Sequence, residues 1–203
     1  PSAPVDRRAQ LEALDLAVYR AIASTDTPEL DRDFERLSRA ADHSKLWIAT
    51  AGVLALTAGA SGRRAAVNGL AAVAATSALV NLVAKPLGGR RRPDRVAGRV
   101  PIARHVPMPR STSFPSGHAA SAFAFATGVA GVLPTAIPLQ LAAAMVAYSR
   151  VHTGVHYPAD VIVGALIGSS VAPVTSAARK RVRASSVEEG SRPLGLRIAV
   201  DAL

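Results

Sequence analysis

Five nearly uncharged apolar runs limit how this 203-residue sequence can fold. They occupy residues 46–60, 65–84, 119–133, 137–148 and 161–174. Charges are concentrated in the connections, whereas a soluble amphipathic helix carries them along its outer face. Ala and Val dominate the apolar residues and only 4% of the chain is aromatic, which favours closely packed helices over a β-sandwich. The sequence therefore predicts an all-α helical bundle, membrane-embedded, with about five apolar helices.

The lengths of these runs leave one alternative open. A bilayer core of about 30 Å requires about 20 residues of helix. Only residues 65–84 reach that length without polar residues at their edges. A soluble all-helical bundle is therefore the alternative architecture. We favour the membrane-embedded bundle because no run has a charged outer face.

The segments that flank the runs define three predicted regions. Residues 1–45 are polar and charged, and four apolar residues recur there at helical spacing: Leu11, Leu14, Val18 and Ile22. This N-terminal segment is predicted to form an amphipathic helix, followed by a second helix at 31–41. The first helix either covers the bundle or lies in the membrane interface. Residues 46–175 form the bundle. Residues 176–203 are a basic polar tail with a short strand at 194–200, or the start of a further domain.

Composition restricts the partners and the chemistry. The net charge of +10 indicates a negatively charged partner, such as an anionic membrane surface, a phosphorylated substrate or nucleic acid. We expect no nucleic acid, since neither exposed aromatic residues nor a recognition helix is evident. The chain has no Cys, which excludes thiolate metal sites and cysteine nucleophiles.

Pro115-Ser116-Gly117-His118 directly precedes the run at 119–133. Ser116 is a favourable N-cap for that helix, and Gly117 allows the backbone to approach a ligand closely. The N–H groups and the positive dipole end of a helix attract phosphate. His118 then lies beside any anion bound there. An ordinary helix cap with an exposed His is the alternative.

A second motif is Ser149-Arg150-x5-His156-x3-Asp160. Pro158 is typical of a first helical turn, so His156 lies at the entrance of the last apolar helix. Asp160, four residues on, can hold one imidazole nitrogen and leave the other free to attack phosphorus. The alternative is a loop His paired with a first-turn Asp that stabilises the helix dipole.

Lys85-x6-Arg92-Pro93 is the third motif. Lys85 ends an apolar helix and Arg92 follows in a Gly-rich stretch, so both can fold over one anion. An Arg fork and a Lys point charge suit phosphoryl transfer, in which stabilisation of negative charge dominates. For Arg90, Arg91 and Arg95 we expect contact with anionic lipid headgroups instead.

These three motifs together resemble those of the type 2 phosphatidic acid phosphatase superfamily, over about residues 46–175. That group includes lipid phosphate phosphatases, polyprenyl-diphosphate phosphatases, soluble bacterial acid phosphatases and vanadium haloperoxidases. The resemblance implies a metal-independent phosphatase without a cofactor. It makes His156 the nucleophile, Asp160 its orienting partner and His118 the acid that protonates the leaving oxygen. The residues that it assigns to the phosphate are Lys85, Arg92, Ser116, Gly117 and Arg150.

The resemblance also bears on function and location. It favours a membrane lipid phosphate phosphatase acting on phosphatidic acid, phosphatidylglycerol phosphate or a polyprenyl phosphate or diphosphate, through a phosphohistidine. The alternatives are a vanadate-dependent haloperoxidase and a non-catalytic protein that binds anionic lipid. If all five apolar runs span the membrane, both site segments (85–117 and 149–160) lie on the same side of it. The positive-inside rule places the cluster 179–183 in the cytoplasm, although the Arg count of 85–117 favours the reverse. Following the family, we predict a multi-pass cell-membrane protein with an extracytoplasmic site.

Gly164 and Gly168 have the spacing that allows helices to approach closely. Packing within the bundle and contact between copies in a homo-oligomer both account for this spacing. We favour packing within the bundle.

Overall fold

The computed structural model describes residues 6–134 and 136–191, with backbone alone at residues 183 and 186–191. Within these ranges the regular structure is helical, as predicted, and the strand predicted at 194–200 lies outside them. The helices are α1 (Arg7–Ser24), α2 (Pro28–Ala40), α3 (Lys45–Thr57), α4 (Gly59–Leu79), α5 (Lys85–Gly88), α6 (Gly117–Ala130), α7 (Ile137–His152) and α8 (Pro158–Ser191). A π-helical segment, Val80–Ala84, joins α4 to α5. Because α8 continues to Ser191, the first part of the predicted tail is helical.

The five apolar runs all fold as helices, which confirms the predicted bundle. Helix α6 lies at its centre and packs against α4, α7 and α8. Small side chains line α6: Ala119, Ala120, Ala122, Ala124 and Ala126 are completely or almost completely buried. Trp47 of α3 packs against Phe125 with ring centroids 5.4 Å apart. Alanine lets the helix backbones approach closely, so the core consists of close helix–helix contacts with few large side chains between them.

The outer surface of the bundle is apolar. Two continuous helices, Gly59–Gly88 and Pro158–Val182, are long and apolar enough to cross a membrane, each with a mean hydropathy of 1.7. Only 39% and 22% of their most apolar windows are buried inside the protein. Outward-facing residues such as Leu56, Leu82 and Leu166 are 88%, 76% and 61% exposed. A soluble helix would place polar residues there, so the exposed apolar faces indicate contact with lipid.

The N-terminal segment forms the two predicted helices, α1 and α2, which pack on α7 and α8. The side of α1 that faces the bundle contains Asp15, Tyr19 and Ala23. Leu11 and Leu14, from the predicted apolar row, are 67% and 61% exposed. The face of α1 on the bundle therefore carries a buried carboxylate, with Leu16 and Ile22 packed beside it, while Leu11 and Leu14 face outward.

A buried ion pair fixes α1 and α2 to the long connection before α6. Arg104 Nε donates to Asp31 Oδ1 at 2.7 Å, and Arg104 Nη2 donates to the carbonyl oxygen of Thr25 at 2.6 Å. His152 Nε2 lies 3.0 Å from the same Asp31 oxygen. A buried charge is tolerated only when its hydrogen bonds are satisfied, and here both partners meet that condition. The cluster places the N-terminal helices across one end of the bundle.

Gly164 and Gly168 set the distance between α8 and α6. A Cβ atom on Gly164 would collide with the carbonyl oxygen of Ser116, and one on Gly168 with that of Ala120. Both glycines are buried against α6 within one chain. Packing within the bundle thus explains their spacing, and neither is available for the contact between copies considered above.

Candidate active site

The three sequence motifs converge at the end of the bundle that α1 and α2 cover. The turn before α6 is joined to the start of α8 by a backbone bond, in which the N–H of Ser116 donates to the carbonyl oxygen of Asp160 at 2.9 Å. Lys85 is adjacent to the same turn, since a Cβ atom on Gly117 would lie 3.8 Å from its Nζ. Residues far apart in sequence therefore form one polar cluster.

His156 and Asp160 form a buried pair at the entrance of α8. His156 lies in the connection after α7, and α8 begins at Pro158 as predicted. Nδ1 of His156 lies 3.4 Å from Asp160 Oδ2, which also accepts the backbone N–H of Tyr157 at 3.0 Å. The Ser113 hydroxyl donates to this same oxygen. These contacts orient the ring and leave Nε2 as the nitrogen directed away from the carboxylate.

The electrostatics of His156 favour the neutral imidazole. The side chain is 1% exposed, and its burial lowers the pKa to about 4, although the hydrogen bond with Asp160 acts in the opposite direction. Above that pH the ring is uncharged. An uncharged Nε2 has the lone pair that nucleophilic attack requires.

Arg92 lies directly beside that nitrogen. Its Nη1 is 3.2 Å from His156 Nε2 and donates to the carbonyl oxygen of Val155 at 2.8 Å, while Nε donates to the carbonyl oxygen of Ser111 at 2.9 Å. Lys85 Nζ donates to the Ser111 hydroxyl at 3.1 Å. The guanidinium and the ammonium thus flank a common position close to the predicted nucleophile, suited to a phosphate group.

Ser116 and Gly117 begin α6 as the N-cap and first residue. Ser116 has extended backbone angles, and its Oγ accepts the N–H of Ala119 at 3.4 Å. The side chain of Ser116 is fully buried. The first turn of α6 therefore directs its N–H groups and positive dipole end toward Lys85 and the cluster.

His118 has a carboxylate partner from the N-terminal segment. Its Nε2 lies 2.8 Å from Oδ1 of Asp42, which belongs to the 3-10 turn Asp42–Ser44 between α2 and α3. The hydrogen bond with His118 is the main cause that lowers the pKa of Asp42. The next residue, His43, has φ 55, in the left-handed region that non-glycine residues seldom occupy. The arrangement repeats the His–carboxylate pairing of His156.

Arg150 completes the cluster at the end of α7. It is 1% exposed, its Nη1 donates to Ser38 Oγ at 2.6 Å, and the same nitrogen lies 3.8 Å from Asp42 Oδ1. Its Nε has no hydrogen-bond partner within the part of the chain that the structure describes. Every residue that the sequence analysis assigned to the site thus lies at this end of the bundle.

Several further residues of the cluster were not assigned from the sequence, among them Asp15, Asp42, Arg90, Ser111 and Ser113. Arg90 was expected at lipid headgroups but instead forms ion pairs with Asp160 and Asp15. Ser113 lies three residues before Ser116, close enough to have been a candidate. No sequence signal marks Asp15 or Asp42, because each approaches the site only through the packing of α1 and α2.

A cleft of about 450 Å³ opens beside the cluster. Its charged and imidazole lining residues are Asp42, His43, Lys85 and His118. The remaining lining residues are apolar, small or neutral polar: Ala41, Val80, Pro107, Met108, Pro109, Gly117, Ser44, Ser77, Asn81 and Ser121. A ligand with a charged head and an apolar chain therefore meets side chains of both kinds in this cleft.

Comparison with known proteins agrees with this geometry. The model of the PAP2 superfamily matches residues 65–184. The decaprenylphosphoryl-5-phosphoribose phosphatase of Mycobacterium tuberculosis is 33% identical over 174 residues, which cover 83% of this chain and 94% of that protein.

Two solved structures have the same fold. The crystal structure of Aquifex aeolicus LpxE aligns with a TM-score of 0.65 and 26% identity, covering 80% of this chain and 94% of that one. A transmembrane PAP2 type phosphatidylglycerolphosphate phosphatase from Bacillus subtilis aligns with a TM-score of 0.63 and 23% identity, covering 85% and 88%. The family model covers most of the bundle, and the three sequence motifs of this chain meet at one cluster. The chain therefore belongs to the PAP2 superfamily.

Proposed function

We propose that this lipid phosphate phosphatase removes the terminal phosphate from a polyprenyl-linked phosphate, with a polyprenylphosphoryl sugar phosphate as its substrate class. The support is the 33% identity to the decaprenylphosphoryl-5-phosphoribose phosphatase of Mycobacterium tuberculosis, of which this chain covers 94%. The cleft suits such a molecule because its charged lining residues can hold a sugar phosphate while Val80, Met108 and the neighbouring prolines can contact the prenyl chain.

The observation that carries the chemistry is the position of His156 Nε2, 3.2 Å from Arg92 Nη1, with Nδ1 directed at Asp160. In the first step Nε2 forms a bond to phosphorus and the bond to the substrate oxygen breaks. Asp160 stabilises the imidazolium character that develops on the ring. Lys85, Arg92 and Arg150 balance the negative charge on the phosphoryl oxygens. The backbone N–H groups in the first turn of α6 stabilise the same charge. Water then attacks phosphorus and releases phosphate and the free histidine.

His118 is proposed to give its proton to the leaving alkoxide. It stands in the first turn of α6, on the cleft side of the cluster, where the substrate oxygen departs. Asp42 orients the ring through its 2.8 Å hydrogen bond and is the counterpart of Asp160 in this second pair. In the hydrolysis step the same ring accepts a proton from the attacking water, which restores the starting state.

The alternatives considered from the sequence receive less support. A haloperoxidase would use the same oxyanion pocket, but halide oxidation has no use for the apolar side chains of Val80 and Met108 in the adjoining cleft. A non-catalytic lipid-binding protein would not require two buried or half-buried His–carboxylate pairs. Hydrolysis accounts for both features.

The proposed location is the cell membrane, with several spans and the site on the extracytoplasmic side. Two of the arginines that argued against this orientation, Arg90 and Arg104, pair with carboxylates inside the protein. Pairing reduces the effective positive charge at the site end. Arg179, Lys180 and Arg181 remain exposed at the other end, and basic residues favour the cytoplasm.

A substrate panel tests the function. The purified full chain in detergent, with EDTA present, is given a polyprenylphosphoryl sugar phosphate, a polyprenyl diphosphate, phosphatidic acid and phosphatidylglycerol phosphate. We expect the highest kcat/KM on the first and no phosphate release by His156→Ala. Preference for a diacyl lipid would contradict the proposed substrate class. Bromide oxidation by vanadate-loaded protein without lipid hydrolysis would favour the haloperoxidase.

A further inference from the structure

The guanidinium of Arg90 joins two buried carboxylates that belong to different parts of the chain. Nη1 donates to Asp160 Oδ1 at 2.9 Å, and Nη2 donates to Asp15 Oδ2 at 2.6 Å. Asp160 is fully buried and Asp15 is 8% exposed. The plane of Arg90 also lies over the Tyr157 ring, 4.0 Å from its centroid. These contacts fix the guanidinium from three directions.

The two oxygens of Asp160 thereby have separate partners. Oδ2 faces His156 Nδ1 and accepts from Ser113 and from the Tyr157 N–H. Oδ1 is held by Arg90. Because Asp160 is fully buried beneath Arg90, loss of Arg90 would leave Oδ1 without its cation. Such a carboxylate turns or takes up a proton more readily, and either change weakens the contact of Oδ2 with His156.

Asp15 holds Arg90 in place from α1. Its second oxygen, Oδ1, accepts the N–H of Ala159 at 2.8 Å, in the first turn of α8, where backbone N–H groups have no partner within the helix. One helical turn on, Tyr19 packs edge-on against Tyr157 with ring centroids 5.4 Å apart. Helix α1 is thus attached to the same turn that carries Asp160. Asp15 therefore determines where Arg90 and the start of α8 stand relative to one another.

From this geometry we infer that Arg90 and Asp15 are positioning residues of the phosphatase reaction, which keep Asp160 oriented toward His156. They act through Asp160, which both of them hold in place, and not as ligands of the phosphate. The N-terminal helix α1 is then a working part of the active site. The inference rests on the proposed function only in requiring phosphoryl transfer to His156, and it holds for any phosphate ester the cleft accepts.

The test uses the purified full chain and an activated aryl phosphate. Arg90→Gln is compared with Arg91→Gln, since Arg91 is exposed in the same connection and its expected contact with lipid headgroups does not bear on a soluble aryl phosphate. Arg90→Gln should lower kcat by about 10²-fold, the loss typical of a misplaced reacting group. KM and inhibition by vanadate should stay near the wild-type values, because the phosphate ligands remain. Arg91→Gln should behave as wild type.

The pH profile distinguishes positioning from a general structural role. Loss of the Arg90 cation beside Oδ1 should raise the pKa of Asp160. The acid limb of kcat/KM should therefore move to higher pH. Asp15→Asn, which preserves shape, should give the same shift with a smaller loss. The double variant should lose no more than Arg90→Gln alone, because both act through one carboxylate.

Several outcomes would overturn the inference. The first is a wild-type kcat and an unchanged acid limb of kcat/KM in Arg90→Gln. The second is an equal loss of kcat in Arg91→Gln. The third is a loss of vanadate inhibition in Arg90→Gln that parallels its loss of activity. The last would make Arg90 a phosphate ligand. If Arg90→Gln cannot be obtained as folded protein, Asp15→Asn decides by the same criteria. The absence of lipid hydrolysis by wild type would refute the proposed substrate instead, and the aryl phosphate comparison would still stand.

Discussion

The backbone N–H of Ser116 donates to the carbonyl oxygen of Asp160 at 2.9 Å, so the turn that begins α6 and the turn that begins α8 are one unit. The first turn supplies the proposed phosphate ligands and the second the nucleophile pair. Gly164 makes this contact possible, because its hydrogen atoms face the Ser116 carbonyl oxygen, where a side chain has no room. The distance between helices therefore controls the geometry of the site.

Gly164→Ala is expected to damage both stability and catalysis. Its Cβ atom would meet backbone, which cannot move aside as a flexible side chain can, so the starts of α6 and α8 would separate. We expect a destabilisation of about 1–3 kcal/mol and a clear fall in kcat. Thermal unfolding and aryl phosphate turnover measure the two effects. The control is Gly52→Ala, since nothing lies within 4 Å of that Cβ position. Equal results for both glycines would refute the close-contact argument.

His156→Ala should abolish turnover, because no other group replaces the attacking nitrogen. Asp160→Asn should retain some activity, since the ring is misoriented but present. Quenching wild-type turnover without acid should trap phosphate on a histidine, identified by mass spectrometry of the peptide that contains His156. A phosphoryl group trapped on His118 would exchange the proposed roles, and wild-type activity in His156→Ala would end the proposed mechanism.

His118→Ala should affect substrates according to their leaving groups. General-acid assistance is worth about 10²–10⁴-fold, and an aryl oxide that leaves without a proton needs little of it. The loss should therefore be large on lipid phosphates and small on activated aryl phosphates. Asp42→Asn should show the same pattern at smaller amplitude, because the 2.8 Å hydrogen bond with His118 loses its charge. Equal losses on both substrate types would exclude the acid role.

The pH dependence of kcat/KM should reflect the burial of His156. Since burial lowers the pKa of this imidazole to about 4, the neutral nucleophile predominates at every higher pH. Activity should therefore persist in mildly acidic solution and decline as the pH falls through about 4. The rates are to be corrected for ionisation of the substrate phosphate. An acid limb near the ordinary histidine value of about 6.5 would show that the ring is not desolvated in the working enzyme.

Membrane orientation can be tested with single cysteines, since the native chain has none. Val96 is 86% exposed at the site end, and Lys180 is exposed near the other end of α8. In intact spheroplasts a membrane-impermeant thiol reagent should label Val96→Cys and leave Lys180→Cys unmodified until the cells are broken. The reverse pattern would place the site on the cytoplasmic face.

The sequence alone determined the helical bundle and pointed to the main members of the candidate site. Apolar runs with charges confined to the connections leave little choice but packed helices, and this information is local. The N-cap at Ser116 and the start of α8 near Pro158 likewise follow from short stretches of local sequence. Motif residues at the ends of apolar runs meet because the ends of packed helices meet. The resemblance to a known family then supplied the roles proposed for them.

Only the tertiary structure decided which partners the other charged residues pair with. Arg90 and Arg91 are neighbours of the same type, yet one lies between two carboxylates and the other is exposed. Arg90 and Asp15 are separated by 75 positions, and His118 and Asp42 by 76. Likewise, α1 turned Asp15 toward the bundle and left Leu11 and Leu14 exposed. The physical reason is that hydrophobic periodicity is a property of one segment, whereas an ion pair depends on where two distant segments are brought by packing.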